Sequence, residues 1–228
     1  MSAAIRQYVE GAIRFSTAGT PSRRGASLRV ARTLITCKTA AAVLNESGVP
    51  AESGSAYRYV NVHNPRCPLR FGNDTKQWSC ASAVENHPVS GINWAGASLI
   101  CRLIGGRLPL EEEWKSFASN NDPTRTYPWG NAEPTREWAN FGEYFGGTSE
   151  VGCFPPSDLG LYDLAGNLSE WCQDAHQLAD GQVASFERVA KGGAWSKDAR
   201  YLEIAARRGK WERLGTTTIG FRPVWDIQ

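Results

Sequence analysis

The chain has 228 residues, with 25 Lys and Arg against 23 Asp and Glu and a formal charge of +2. That near-neutrality gives no global field to gather nucleic acid or an anionic membrane surface, and no apolar run approaches the roughly 20 residues a membrane span needs. Nine Trp, seven Tyr and eight Phe beside a single Met, with 23 Gly and 12 Pro, describe rigid aromatic plates joined by irregular turns, the composition of a loop-rich α+β fold in one domain over 1–228.

Residues 8–16 (YVEGAIRFS) and 28–36 (LRVARTLIT) alternate apolar and polar side chains and read as an opening hairpin across the TAGTPSRRG turn. The first 33 residues carry Arg at 6, 14, 23, 24, 29 and 32 against Glu10 alone, a balance that also suits an organelle transit peptide. A strand already under way at residue 8 leaves too little chain for one, so a cytoplasmic protein is expected, with an organelle matrix as the alternative. A short helix follows over 38–44 (KTAAAVL), with Gly48 placed to end it, and 49–86 shows no sustained period. Apolar residues then recur at three and four positions over 94–104 (WAGASLICRLI), which predicts an amphipathic helix stopped by Gly105 and Gly106. A second helix is predicted over 110–119, opened by Pro109 and three Glu in its first turn, with Trp114 and Phe117 facing inward. Residues 120–158 form a long aperiodic loop, and RVAKGGAW, RYLEIAARR and TIGFRPVW read as three late strands.

The densest constellation is GLYDLAGNLSEWCQD, residues 160–174. Asp163, Glu170 and the carbonyls of Gly166 and Leu168 form an oxygen-rich set around a glycine that lets the chain turn tightly, as a hard cation such as calcium requires. The same spacing fits a turn entering a helix, with Asn167 as cap and Glu170 completing a capping box. Six cysteines, at 37, 67, 80, 101, 153 and 172, show no CxxC pair, so no structural zinc is expected and the thiols read as reduced and buried. Histidine is confined to His63, His87 and His176, without metal-binding spacing; His87 reads as structural and His176 as exposed.

The blocks HPVSGINWAGASLICRLIGGRLPLEEEW, YPWGN, WAN, GLYDLAGNLSEWCQD, RVAKGGAW and IGFRPV, in this order over 87–224, resemble the formylglycine-generating enzyme or sulfatase-modifying factor family, a divergent C-type-lectin-like fold. The resemblance implies calcium bracing. The family's second site falls on Asp163, Gly166, Leu168 and Glu170, and its first begins at Asn140 and the carbonyl of Phe141 but finds no matching Asp in the shortened loop GEYFGGTSE. One calcium is therefore expected. The true enzymes bind copper through a cysteine pair after the GG strand. Here that stretch is GGAWSKDARYLEIAARR, with Ser196, Lys197 and Asp198 where soft thiolates are needed, so copper chemistry is not expected. Iron-dependent relatives use histidines of an additional helical domain, which has no counterpart in these residues.

Downstream, Arg207, Arg208, Lys210, Trp211 and Arg213 crowd into RRGKWERLG, beside Trp195. They read either as a cationic surface for a carboxylate, a phosphate or an acidic protein, or as a solvated hairpin whose Trp covers the core. Lectin-fold proteins of diversity-generating retroelements vary this region, and their C-termini resemble this one. The expected function is a non-catalytic ligand- or protein-binding module, alone or within a larger complex. The alternative is a metal-dependent oxidoreductase of the same superfamily acting on a peptide or small molecule.

Overall fold

A computed structural model of the chain describes residues 1–17, 27–50, 58–178 and 180–227. Among these residues, four helices and nine short strands alternate with long connections. They are α1 (Ala3–Glu10), β1 (Ile13–Ser16), β2 (Ser27–Val30), α2 (Cys37–Glu46), β3 (Leu69–Gly72), β4 (Gln77–Cys80), α3 (Trp94–Leu103), α4 (Glu111–Ser119), β5 (Ser169–Gln177), β6 (Val183–Lys191), β7 (Arg208–Trp211), β8 (Ile219–Gly220) and β9 (Val224–Asp226). Three sheets result, ordered β1-β2-β9, β3-β4 and β7-β6-β5-β8, with only the β5–β8 pairing parallel. The loop-rich α+β expectation holds.

Local chemistry explains the helices that were legible. Thr36 accepts from the Thr39 N–H at the start of α2, and Asn93 accepts from Gly96 at the start of α3. Glu113 reaches back to the Leu110 N–H at 2.8 Å, so α4 begins two residues after Pro109 with three acids in its first turn. Trp114 and Phe117 are fully buried, as their spacing requires.

Elsewhere tertiary packing overrides local pattern. Tyr8–Glu10 close helix α1 rather than opening a strand, because Ile5 is buried and the Tyr8 hydroxyl donates to the Thr33 carbonyl at 2.9 Å, fixing a helical face against the core. The predicted second strand stops at Val30. Beyond it the chain is irregular, with Ala31 and Ile35 donating to the carbonyls of Pro223 and Phe221. Most of the TAGTPSRRG turn lies outside the described residues. The segment 49–86 contains the β3–β4 hairpin, where Phe71 meets Trp78 edge to face with centroids 5.2 Å apart. RYLEIAARR is not a strand. Its first residues form a 3₁₀ turn, Ala199–Leu202, and only Arg208 enters β7, while Leu202 and Ile204 drop into the core from irregular backbone. RVAKGGAW leaves its strand at Lys191, since Gly192 and Gly193 adopt φ of +85° and +72°. TIGFRPVW divides into β8 and β9 around Phe221–Pro223.

Candidate functional site

The 160–174 motif runs into strand β5, not into a helix, so the helix-capping reading of Asn167 and Glu170 does not hold. The turn before that strand is tightly wound: Gly160, Asp163, Gly166 and Asn167 all have φ between +55° and +80°. Gly166 is held against the Asn140 carbonyl, which a Cβ would approach to 2.4 Å, so only glycine fits. Asn167 N–H donates to that same carbonyl at 2.8 Å, and Gly166 N–H donates to Gly192 at 2.7 Å. The Asn167 side chain accepts from Ser149 N–H at 3.1 Å and donates to the Ser149 carbonyl at 3.2 Å. Asn140 donates through Nδ2 to the Gly147 carbonyl and the Ser149 hydroxyl. Turn, 140s loop and GG corner are thus laced into one polar knot.

Two oxygens of this knot, Asn140 Oδ1 and Asp163 Oδ1, are buried and have no hydrogen-bond partner among the described residues. Burial pushes the Asp163 carboxyl up to about 6, although its Oδ2 accepts from Gly152 N–H at 2.8 Å. Asp163 also lines a void of about 10 Å³, just the size of a single water, beside Trp129 and Trp138. Orphaned buried acceptors are costly unless something small and electropositive meets them, so these oxygens suit a hard cation.

Glu170 makes strong contacts within the chain. Its carboxylate is fully buried and meets the equally buried Arg222, with Arg222 Nη2 to Oε1 at 2.8 Å and Nε contacting both oxygens. Trp114 Nε1 donates to Oε2 at 2.9 Å. Arg222 spends its remaining donors on the carbonyls of Ala31 and Tyr162. Arg222 was missed by sequence reasoning. The available signal was an arginine inside the apolar run IGFRPV, since a charge in a buried strand needs a partner.

Ser196, Lys197 and Asp198 follow the GG corner on the solvent side. Asp198 caps the 3₁₀ turn and pairs with the exposed Arg200 at 3.0 Å. No cysteine approaches from the sequence of this stretch. Cys172 is fully buried on β5 with its thiol pushed well up by burial, whereas Cys153 is exposed, with its thiol raised by desolvation and by nearby Asp163. His176 is partly buried, not exposed, with Nδ1 3.2 Å from Glu187 Oε2, while His87 Nδ1 lies 2.9 Å from the Thr148 hydroxyl.

The C-terminal cluster is split by the fold. Arg207 pairs with Glu111 at 2.9 Å and also donates to the Gln177 carbonyl. Arg208 lies over the Tyr201 ring, 4.6 Å from its centroid, and Lys210 is half-buried with its pKa lowered by desolvation and by Arg208. Trp195 is anchored by its indole N–H to the Thr217 carbonyl at 3.2 Å. Trp211 is 50% exposed at the end of edge strand β7. Arg213 lines a cavity of about 380 Å³ with Arg58 and Arg188, which the other residues of the cluster do not line.

With this geometry in hand, the comparisons with known proteins agree on the scaffold. The model of the sulfatase-modifying factor enzyme 1-like domain matches residues 20–227, and the chain belongs to this family. It is 36% identical over 153 residues to the serine/threonine-protein kinase pkn1 of Chlamydia pneumoniae, covering 62% of this chain and 24% of that protein. It is 34% identical over 151 residues to the inactive C-alpha-formylglycine-generating enzyme 2 of Bos taurus, covering 59% and 49%. It is 33% identical over 167 residues to the formylglycine-generating enzyme of Mus musculus, covering 62% and 45%. The match thus spans from a quarter to half the length of these relatives. Among solved structures, Treponema denticola variable protein 1 superposes with a TM-score of 0.67 at 18% identity, covering 95% of this chain and 93% of that one. PvdO from Pseudomonas aeruginosa gives 0.66 at 19%, covering 95% and 92%. At such identities these neighbours speak for the fold alone. Among the described residues no helix is long and apolar enough to cross a membrane.

Proposed function

We propose that the protein is a non-catalytic ligand- or protein-binding module on a formylglycine-generating-enzyme-like scaffold, braced by calcium. One observation carries the reading: no cysteine lies between Gly192 and Arg208, the stretch that would have to present two thiolates to copper. Hard hydroxyl, ammonium and carboxylate groups at Ser196, Lys197 and Asp198 do not substitute for soft ligands on Cu(I). The kinship with a formylglycine-generating enzyme relative named as inactive supports a scaffold used without that chemistry. Kinship with kinases of which the matched part is 24% supports a module acting inside, or beside, other domains. Six cysteines without a disulfide suit a reducing compartment such as the cytoplasm.

For the calcium, Asp163 Oδ1 and Asn140 Oδ1 are the side-chain oxygens with capacity to spare, and the carbonyls of Phe141, Gly166 and Leu168 complete the candidate set. Glu170 already shares its charge with Arg222, so it contributes less to a cation than the motif alone implied. The ion would supply positive charge to a knot whose acceptors exceed its donors.

The test is to purify the protein without chelator, count calcium, copper and iron per chain by mass spectrometry, then supply Cu(I), oxygen and a cysteine-bearing peptide. About one calcium, no stoichiometric redox metal and an unmodified peptide are expected. Formylglycine in the peptide, or stoichiometric copper or iron, would replace this reading with the oxidoreductase one.

A further inference from the structure

The cavity of about 380 Å³ is lined by Arg58, Asn93, Trp94, Arg188, Glu212 and Arg213, brought together from four distant parts of the chain. Its volume lies in the range of small-molecule pockets. Its walls are fixed by contacts independent of any ligand. Asn93 Nδ2 donates to the Arg58 carbonyl at 2.7 Å, holding that backbone at the rim. Trp94 N–H donates to the Glu212 carbonyl at 3.0 Å, and the Trp94 indole donates to the Cys172 carbonyl at 2.9 Å. The Arg188 guanidinium carbon lies over the Trp94 ring, 4.0 Å from its centroid, with Nε 2.8 Å from Glu212 Oε2.

That last pair decides the electrostatics. Glu212 is the cavity's one acid, and Arg188 consumes it. Arg58 and Arg213 then share the opening with no ion pair among the described residues. Like charges converging on one cleft repel unless an anion lies between them. The amino end of α3, at Asn93 and Trp94, adds positive partial charge from the same side. Arg58 lies over the Tyr59 ring, and among the described residues neither it nor Arg213 has a carboxylate partner; two such guanidinium groups match a dianion, and a phosphate monoester carries about −1.5 to −2 at neutral pH with three acceptor oxygens for their forked donors. The Trp94 and Arg188 stack offers a flat wall for the organic part of such a ligand.

We propose that this cavity binds a small phosphate monoester, gripped by Arg58 and Arg213. The proposal deepens the binding reading of the C-terminal segment, on which it rests for Arg213, by giving the ligand a chemical class.

Calorimetric titration of the full chain with phenyl phosphate, inorganic phosphate and succinate tests it. Phenyl phosphate is expected to bind more tightly than the other two, about tenfold more weakly in Arg58→Gln or Arg213→Gln, and undetectably in the double variant. Both arginines are exposed, so melting temperatures should not change. Arg14→Gln with Arg136→Gln, two exposed arginines elsewhere, controls for loss of charge and should leave binding intact. Absent binding of phenyl phosphate, affinity undiminished in the double variant, or three equally weak anions would each overturn the proposal. Turnover of a thiol peptide by a redox metal would end the non-catalytic reading without touching arginine-dependent phosphate binding, so the two fail separately.

Discussion

Substituting Glu170 by Gln removes one charge from a pair in which both side chains are 0% exposed, leaving Arg222 ionised in the interior. Arg222 keeps the carbonyls of Ala31 and Tyr162 but loses its carboxylate partner. Breaking a buried pair from one side costs about 3–5 kcal/mol. For a chain of this length each kcal/mol moves the melting temperature by about 2–4 °C, so a fall of roughly 6–20 °C is expected in scanning calorimetry. Removing both charges together, as Glu170→Met with Arg222→Met, should relieve the unpaired-charge part of the loss but not the whole of it. The remainder reflects the Trp114 indole and two carbonyls left without partners, each about 1–3 kcal/mol before relaxation. The scans are run with millimolar calcium and again with chelator. Equal losses in both identify the Arg222 pair as the main role of Glu170. A fall confined to the calcium scan, or one below about 1 kcal/mol, would refute the reasoning and restore Glu170 as primarily a cation ligand.

Three further outcomes follow from the same geometry. Gly166→Ala should cost more than about 2 kcal/mol in the same calorimetry, because φ is +80° and the new Cβ would stand 2.4 Å from the Asn140 carbonyl. Only Cys153, with half-exposed Cys80 more slowly, should react with a disulfide reagent in native protein, and Cys153→Ser should abolish the fast phase; rapid modification of Cys172 would contradict its burial. The Lys191 ammonium, donating to the carbonyls of Ile204 and Ala206, is pushed down to about 8 by burial, so the native state releases its proton before the unfolded chain does. Stability from this group therefore rises between about pH 8 and 10.5. Chemical denaturation of wild type and Lys191→Met should show the difference moving in favour of wild type over that window; a flat difference would refute it.

What the sequence disclosed was whatever depends on neighbours in the chain. Helices α3 and α4 carry their own stripe, caps and stops, so Trp94–Leu103 and Glu111–Ser119 were readable within two residues. Pairings between distant segments were not. Strands β3 and β4 are four residues each and are defined by one another, not by internal alternation. Leu202 and Ile204 alternate like a strand but belong to a looping segment that drops every second side chain inward. The same limit applied at the site. Asp163 and Asn140 were found from their motifs, but that Arg222, 52 residues from Glu170, neutralises it was hidden, as was the capture of Arg207 by Glu111 across 96 residues.

These buried polar contacts also explain how the scaffold tolerates sequence change at its surface. With so little regular structure, the loops are pinned by Glu170 to Arg222, by Asn140 and Asn167 to Ser149, and by Lys191 to the 204–206 backbone. Asp198 and Arg200, by contrast, are exposed and pair only with each other, and Arg213 and Trp211 project from an edge strand and its turn. Exchanging residues on that outer side costs little stability, since surface substitutions seldom exceed about 0.5 kcal/mol. Residues on the 196–213 surface can therefore change while the knot beneath stays fixed, which is how a chain with Ser196, Lys197 and Asp198 after the GG corner keeps the fold of its family.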